Sequence, residues 1–143
     1  MPQPAPPILV VEDLDDHREL LTQVLRDLGY AVRSAVNGRA ALDLMRDGFR
    51  PALVLLDLLM PVMDGAKFLA DLRAHADPVL ARVPVVLMTA DPGEVAERTA
   101  GAEADVVLAK PFGLKDLRRV VVKICGPGAA PQRWGSLDGH ELP

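Results

Sequence analysis

The chain has 143 residues, half of them hydrophobic and a quarter charged, with a net charge of −4. That length suits one domain able to bury its own core, and the acidic balance argues against a nucleic-acid surface. A single cysteine, Cys125, excludes an internal disulfide and a cysteine-cluster metal site, and apolar runs such as 52–56 and 83–88 are too short to span a bilayer.

Residues 1–7 hold four prolines and read as a flexible extended lead. Residues 8–125 read as the domain. Residues 126–143, rich in Gly and Pro and without an apolar period, read as a flexible tail in which Trp134 stands alone. The N-terminus lacks the positive patch and apolar run of a secretory signal, so a cytoplasmic setting is the expectation.

Within the domain, strands and helices alternate. Ile8–Val11 is a short apolar run rich in β-branched residues. Leu20, Leu21, Val24, Leu25 and Leu28 form a helical stripe, and Gly29 follows as a C-terminal cap. Asp15 and Asp16 are placed to cap the start of that helix, and His17 to lie exposed beside them. Ala31–Ala35 reads as an edge strand. Asn37 caps a helix from Gly38 to about Asp47, stopped by Gly48. Ala52–Leu56 is apolar on both faces, as a central parallel strand must be. A helix carrying Phe68, Leu69 and Leu72 follows Asp64 and Gly65.

Val83–Met88 is the fourth strand, with Pro84 tolerable only near its start. Asp91-Pro92-Gly93-Glu94 resembles a helix start, opening a short helix whose apolar face (Val95, Ala96, Thr99) is weak. Asp105–Ala109 is the fifth strand, and Leu114, Leu117, Val121 and Ile124 line the last helix. Strict alternation of five strands and five helices gives an α/β fold: a doubly wound parallel sheet with helices on both faces.

Ligands bind beyond the carboxyl ends of such strands. Glu12 and Asp13 follow the first strand, Asp57 the third, Thr89 the fourth and Lys110 the fifth. Two carboxylates about 4 Å apart repel by about 4 kcal/mol at an effective dielectric near 20. A divalent cation relieves that repulsion, and oxygen-only ligands select Mg²⁺ over zinc. Lys110 and Thr89 suit the oxygens of a phosphoryl group, with Asp57 as nucleophile.

The segments Val10-Val11-Glu12-Asp13, Asp57-Leu58-Leu59-Met60-Pro61-Val62-Met63-Asp64-Gly65, Thr89-Ala90 and Lys110-Pro111-Phe112 resemble those of bacterial response regulator receiver domains, over roughly residues 8–124. The resemblance implies a flavodoxin-like sheet of strand order 2-1-3-4-5 and a phosphorelay function. Asp57 would accept a phosphoryl group from a histidine kinase or phosphotransfer protein. Asp13, Asp57 and the backbone carbonyl of Leu59 would ligate Mg²⁺, with Glu12 acting through water. Thr89 and Lys110 would contact the phosphoryl oxygens, and the bond preceding Pro111 would be cis. Leu59 and Asp91, two residues past Asp57 and Thr89, are the side chains best placed to guide a water that hydrolyses a phosphorylated Asp57, and so to tune dephosphorylation.

Three positions depart from the familiar pattern. Glu12 replaces an Asp, Leu59 is apolar where some relatives are polar, and Val107 stands where many carry a switching aromatic.

Two other functions fit the same residues less well. An aspartate-nucleophile phosphatase usually needs a second Asp where Leu59 stands. A phosphorylation-independent interaction scaffold is the other alternative, and the missing aromatic at position 107 keeps it open. A nucleotide-binding domain is disfavoured because the turn after the first strand has no glycine-rich cradle. The partners implied are a kinase or phosphotransfer protein and a downstream protein, with a homodimer left open. No membrane association and no DNA-binding domain are expected.

Overall fold

A computed structural model of the chain describes residues 7–58, 64–95, 99 and 102–128. Its strands are β1 (Pro7–Val11), β2 (Ala31–Ala35), β3 (Leu53–Asp57), β4 (Val85–Thr89) and β5 (Val106–Ala109). They form one parallel sheet in the order β2-β1-β3-β4-β5. The helices are α1 (Asp15–Asp27), α2 (Gly38–Arg46), α3 (Gly65–Arg73), α4 (Pro78–Ala81) and α5 (Leu114–Cys125). No helix among the described residues is long and apolar enough to cross a membrane.

The central strands are apolar throughout because both faces of the sheet are covered. Side chains alternate across a strand. Ile8 and Val10 of β1, Leu53 and Leu55 of β3, and Val86 and Met88 of β4 therefore pack on one side, with Leu21, Val24 and Leu25 of α1 and Leu117 and Val121 of α5. Leu9, Val11, Val54, Leu56, Val85 and Leu87 point the other way, toward Met45 of α2 and Phe68, Leu69 and Leu72 of α3. The edge strands β2 and β5 are only half covered.

Local signals explain most helix ends. Asn37 accepts from the Ala40 amide at 2.8 Å and starts α2, and Asp64 accepts from Lys67 at 2.8 Å and starts α3. After α1, Gly29 takes φ = +100°, which closes the helix as expected.

Several expectations are corrected. Asp15 and Asp16 are not the caps of α1. Leu14 holds the N-cap position without a side-chain bond, and the two acids lie in the first turn. The third and fourth strands run one residue further than expected, so that Asp57 and Thr89 are strand residues, while Pro84 falls before β4. Pro92–Glu94 is a 3₁₀ turn rather than a full helical turn, and Asp91 caps it as expected, accepting from the Gly93 amide at 3.1 Å. Val95 and Thr99 beyond it are helical, but the rest of that helix lies outside the described residues. Helix α4 went unforeseen. It is too short to show a period, though Asp77 caps it and Pro78 opens it. The lead over residues 1–6, the tail over 129–143 and Trp134 lie outside the described residues.

Gly65 governs how closely α3 approaches the end of β3. Its amide donates to the Leu58 carbonyl at 2.8 Å. A Cβ there would lie 2.3 Å from the Asp57 carbonyl oxygen and 2.6 Å from the Leu58 Cα. Those obstacles are backbone and cannot swing aside. We therefore expect Gly65→Ala to lower the unfolding free energy by about 1–3 kcal/mol, as overpacking does. Chemical denaturation checks this, and an unchanged midpoint would show that the β3–α3 loop yields freely.

Candidate functional site

The parallel register brings the chemical residues to one rim. Val11 pairs with Leu56, Asp57 with Met88, and Thr89 with Ala109. The ladder then continues one step past the strands: the Glu12 amide donates to Ala35 at 3.1 Å and the Lys110 amide to Thr89 at 2.8 Å. Glu12 thus stands beside Asp57, and Lys110 beyond Thr89, on backbone that the sheet itself holds.

Glu12, Asp13 and Asp57 each offer a carboxylate oxygen within 4.8 Å of the others. The Lys110 ammonium lies 3.5 Å from Asp57 Oδ1 and 3.7 Å from Glu12 Oε2. Three carboxylates against one ammonium leave two negative charges when all are ionised. Glu12 is fully buried and Asp57 nearly so. Glu12 Oε1 accepts from the Leu14 amide at 3.4 Å, but Oε2 has no hydrogen-bond partner among the described residues. A buried carboxylate oxygen left this way is costly. The donor set is all oxygen, so the residues present fit a hard divalent cation such as Mg²⁺.

Burial pushes the Glu12 carboxyl from 4.5 up to about 7. The Asp57 charge adds to the rise, while Lys110 and the Leu14 amide oppose it.

Thr89 is buried at the end of β4, and its hydroxyl accepts from the Asp91 amide at 3.1 Å. The hydroxyl keeps its own proton as a donor. Asp91 Oδ1 caps the 3₁₀ turn. The Lys110–Pro111 peptide is cis. Leu59, with its carbonyl, lies outside the described residues, as do Met60 and Met63. Val107 is exposed on β5.

Two neighbours of the site were not legible beforehand. His17 is not an exposed helix-start residue. It is about three-quarters buried, with Nδ1 3.9 Å from Glu12 Oε1. It also lines a cavity of about 20 Å³ with Glu12, Met88, Lys110 and Phe112. That space has room for one water and none for a small-molecule substrate. Arg18, one turn into α1, reaches back to the acidic loop: its Nη1 donates to the carbonyls of Glu12 (3.1 Å) and Asp13 (3.4 Å), and its Nη2 pairs with Asp15. The Asp15–Arg18 spacing of three on a helix is the one sequence signal for this contact.

Residues 8–122 match the family model of the response regulator receiver domain, and the chain belongs to that family. The response regulator MprA of Mycolicibacterium vanbaalenii is 43% identical over 112 residues, covering 77% of this chain and 46% of that protein. The regulatory protein AtoC of Escherichia coli K12 is 40% identical over 120 residues, covering 80% of this chain and 24% of that protein. The chain thus spans less than half the length of either relative. The receiver domain of the sensor histidine kinase PA1611 from Pseudomonas aeruginosa, solved with a magnesium ion coordinated in its active-site cleft, superposes with a TM-score of 0.75 at 31% identity. That match covers 85% of this chain and 98% of that one.

The raised Glu12 pKa gives a pH dependence. Its folded value lies above its unfolded one, so the contribution to stability is complete below pH 4.5 and is lost as pH rises through about 7. Glu12→Gln removes that loss. In metal-free protein we expect the variant to gain a few kcal/mol on the wild type between pH 4 and pH 8, and saturating Mg²⁺ to narrow the gap. Thermal denaturation of both proteins across that range is the check, and parallel curves would contradict the burial of an ionisable Glu12.

Proposed function

We propose that Asp57 accepts a phosphoryl group from a phosphohistidine donor, with Mg²⁺ bound, and that the domain then changes its affinity for a protein partner. The observation that carries this is the convergence of Glu12, Asp13 and Asp57 on one point, faced by Lys110. Asp13, Asp57 and the Leu59 carbonyl would hold the ion, with Glu12 acting through water. When bound, Mg²⁺ neutralises carboxylate and phosphoryl oxygens that otherwise repel.

The chain's own residues do the rest. An oxygen of the Asp57 carboxylate attacks phosphorus, the bond from phosphorus to the donor histidine nitrogen breaks, and the imidazole leaves with the bonding electron pair. Asp57 is presented at the strand end with its backbone held in the ladder, so little motion is needed to reach the donor. The Lys110 ammonium, already 3.5 Å from Asp57, passes to a phosphoryl oxygen as charge develops there. The Thr89 hydroxyl donates to a second. The kinase or phosphotransfer protein and the downstream partner are cytoplasmic in this reading.

An aspartyl-phosphatase on external substrates is less well supported, because Leu59 supplies no acid or base where such an enzyme needs one. A phosphorylation-independent scaffold would not need the buried acidic cluster.

The test is labelling with acetyl phosphate or a phosphohistidine donor in Mg²⁺. The wild type should form one acyl phosphate per chain, and Asp57→Asn none. Full labelling of that variant at another residue would overturn the assignment.

The lifetime of the acyl phosphate should be long. Hydrolysis needs a water in line with phosphorus, and neither neighbouring position is set up to hold one. Leu59 has no hydrogen-bonding group, and the Asp91 carboxylate is engaged by Gly93. Leu59→Asn should speed loss of label about 10–100-fold after the donor is removed, or about 1.4–2.7 kcal/mol in barrier. Unchanged or slower decay would show that Leu59 does not govern water access.

A further inference from the structure

We propose that Arg18 is a positioning residue of the cation site: it fixes the backbone of the Glu12–Asp13 pair, and through it the ligand geometry, without touching the ion. This rests on the reading of the cluster as a Mg²⁺ site. The β1–α1 loop has little else to hold it. It runs from Glu12 to Leu14 without a proline, and the N-cap of α1, Leu14, makes no side-chain capping bond. Its other ties among the described residues fall on either side of Asp13: the Glu12 amide on the Ala35 carbonyl at 3.1 Å, the Leu14 amide on Glu12 Oε1, long at 3.4 Å, and the Arg18 amide on the Leu14 carbonyl at 2.9 Å. The Glu12 and Asp13 carboxylates repel each other and Asp57, and beyond the ladder bond at Glu12 that repulsion favours loop conformations that carry Asp13 away from the cluster.

Arg18 closes the loop from the helix side. One guanidinium nitrogen donates to both the Glu12 and the Asp13 carbonyls, the other pairs with Asp15, and the side chain is only 15% exposed. A planar fork can span three acceptors this way, and a lysine ammonium cannot reproduce it. Outer groups that orient metal ligands typically govern affinity by about 10–100-fold when removed.

Charge and positioning predict opposite signs here, which makes the proposal decidable. Arg18 is a cation beside an acidic cluster. If only its charge mattered, Arg18→Met would relieve repulsion of the ion and tighten Mg²⁺ binding. If it positions the loop, Arg18→Met and Arg18→Lys both weaken Mg²⁺, by about 10-fold, although lysine keeps the charge. A purely structural role would lower the melting temperature of both variants and leave Mg²⁺ affinity unchanged well below it.

The experiment is calorimetric titration of the whole chain with MgCl₂, wild type against both variants. It is paired with amide hydrogen exchange at Asp13 and Leu14 in metal-free protein. Weaker Mg²⁺ binding in both variants, with faster exchange at those two amides, is the expected result. Tighter or equal Mg²⁺ binding in Arg18→Met, or unchanged exchange in both variants, overturns the proposal. Failure of the wild type to bind Mg²⁺ would sink the reading of the cluster. The exchange data would then still decide whether Arg18 holds the loop.

Discussion

Mutual repulsion among three carboxylates, held close where a parallel sheet ends, is the constraint around which this domain is built. Glu12 is fully buried and Asp57 nearly so, and neither can move away, because both hang on backbone hydrogen-bonded into the ladder. One ammonium from the far side of the cleft, Lys110, offsets part of the charge. Burial first, and the Asp57 charge after it, push the Glu12 carboxyl up to about 7 despite Lys110. A site under that strain is poised for a divalent cation and for an anionic group that lysine and threonine can grasp.

The rest of the fold keeps that imbalance in place. Central strands buried on both faces set the register, and the register sets which residues meet at the rim. Gly65 lets α3 start close against the end of β3, where Asp57 is the last strand residue. Farther away, Arg73 at the end of α3 donates to the Ala81, Val83 and Glu103 carbonyls and pairs with Asp105. These bonds tie the starts of β4 and β5 to the α3–α4 layer, at the end of the sheet opposite the site.

Much of this was legible in the sequence, for identifiable reasons. A strand apolar at every position, such as 53–56, can only be central, and Asn37 or Gly29 mark helix ends through local chemistry. Residues that directly follow such strands fall on the rim without further information, which is why Glu12, Asp57, Thr89 and Lys110 could be picked out. What escaped depends on side-chain direction across a loop. Whether His17 faces solvent or lies back on Glu12, and whether Arg18 pairs along its helix or reaches back to two carbonyls, is set by the angle at which α1 leaves the loop. Asp15 and Asp16 looked like caps because acids favour that position, yet the loop places Leu14 there instead. Helix α4, one turn long, leaves no periodicity to detect.

Under the proposed function, the cluster presents Asp57 as an Mg²⁺-dependent phosphoryl acceptor. Borohydride reduction tests it most directly, since an acyl phosphate is reduced to an alcohol and marks the acceptor covalently. The chain would be treated with acetyl phosphate, with and without Mg²⁺, reduced, digested and sequenced by mass spectrometry. The expected product is a homoserine at position 57 and nowhere else, formed only when Mg²⁺ is present. Reduction product at another aspartate, or at position 57 to the same extent without the ion, would contradict it.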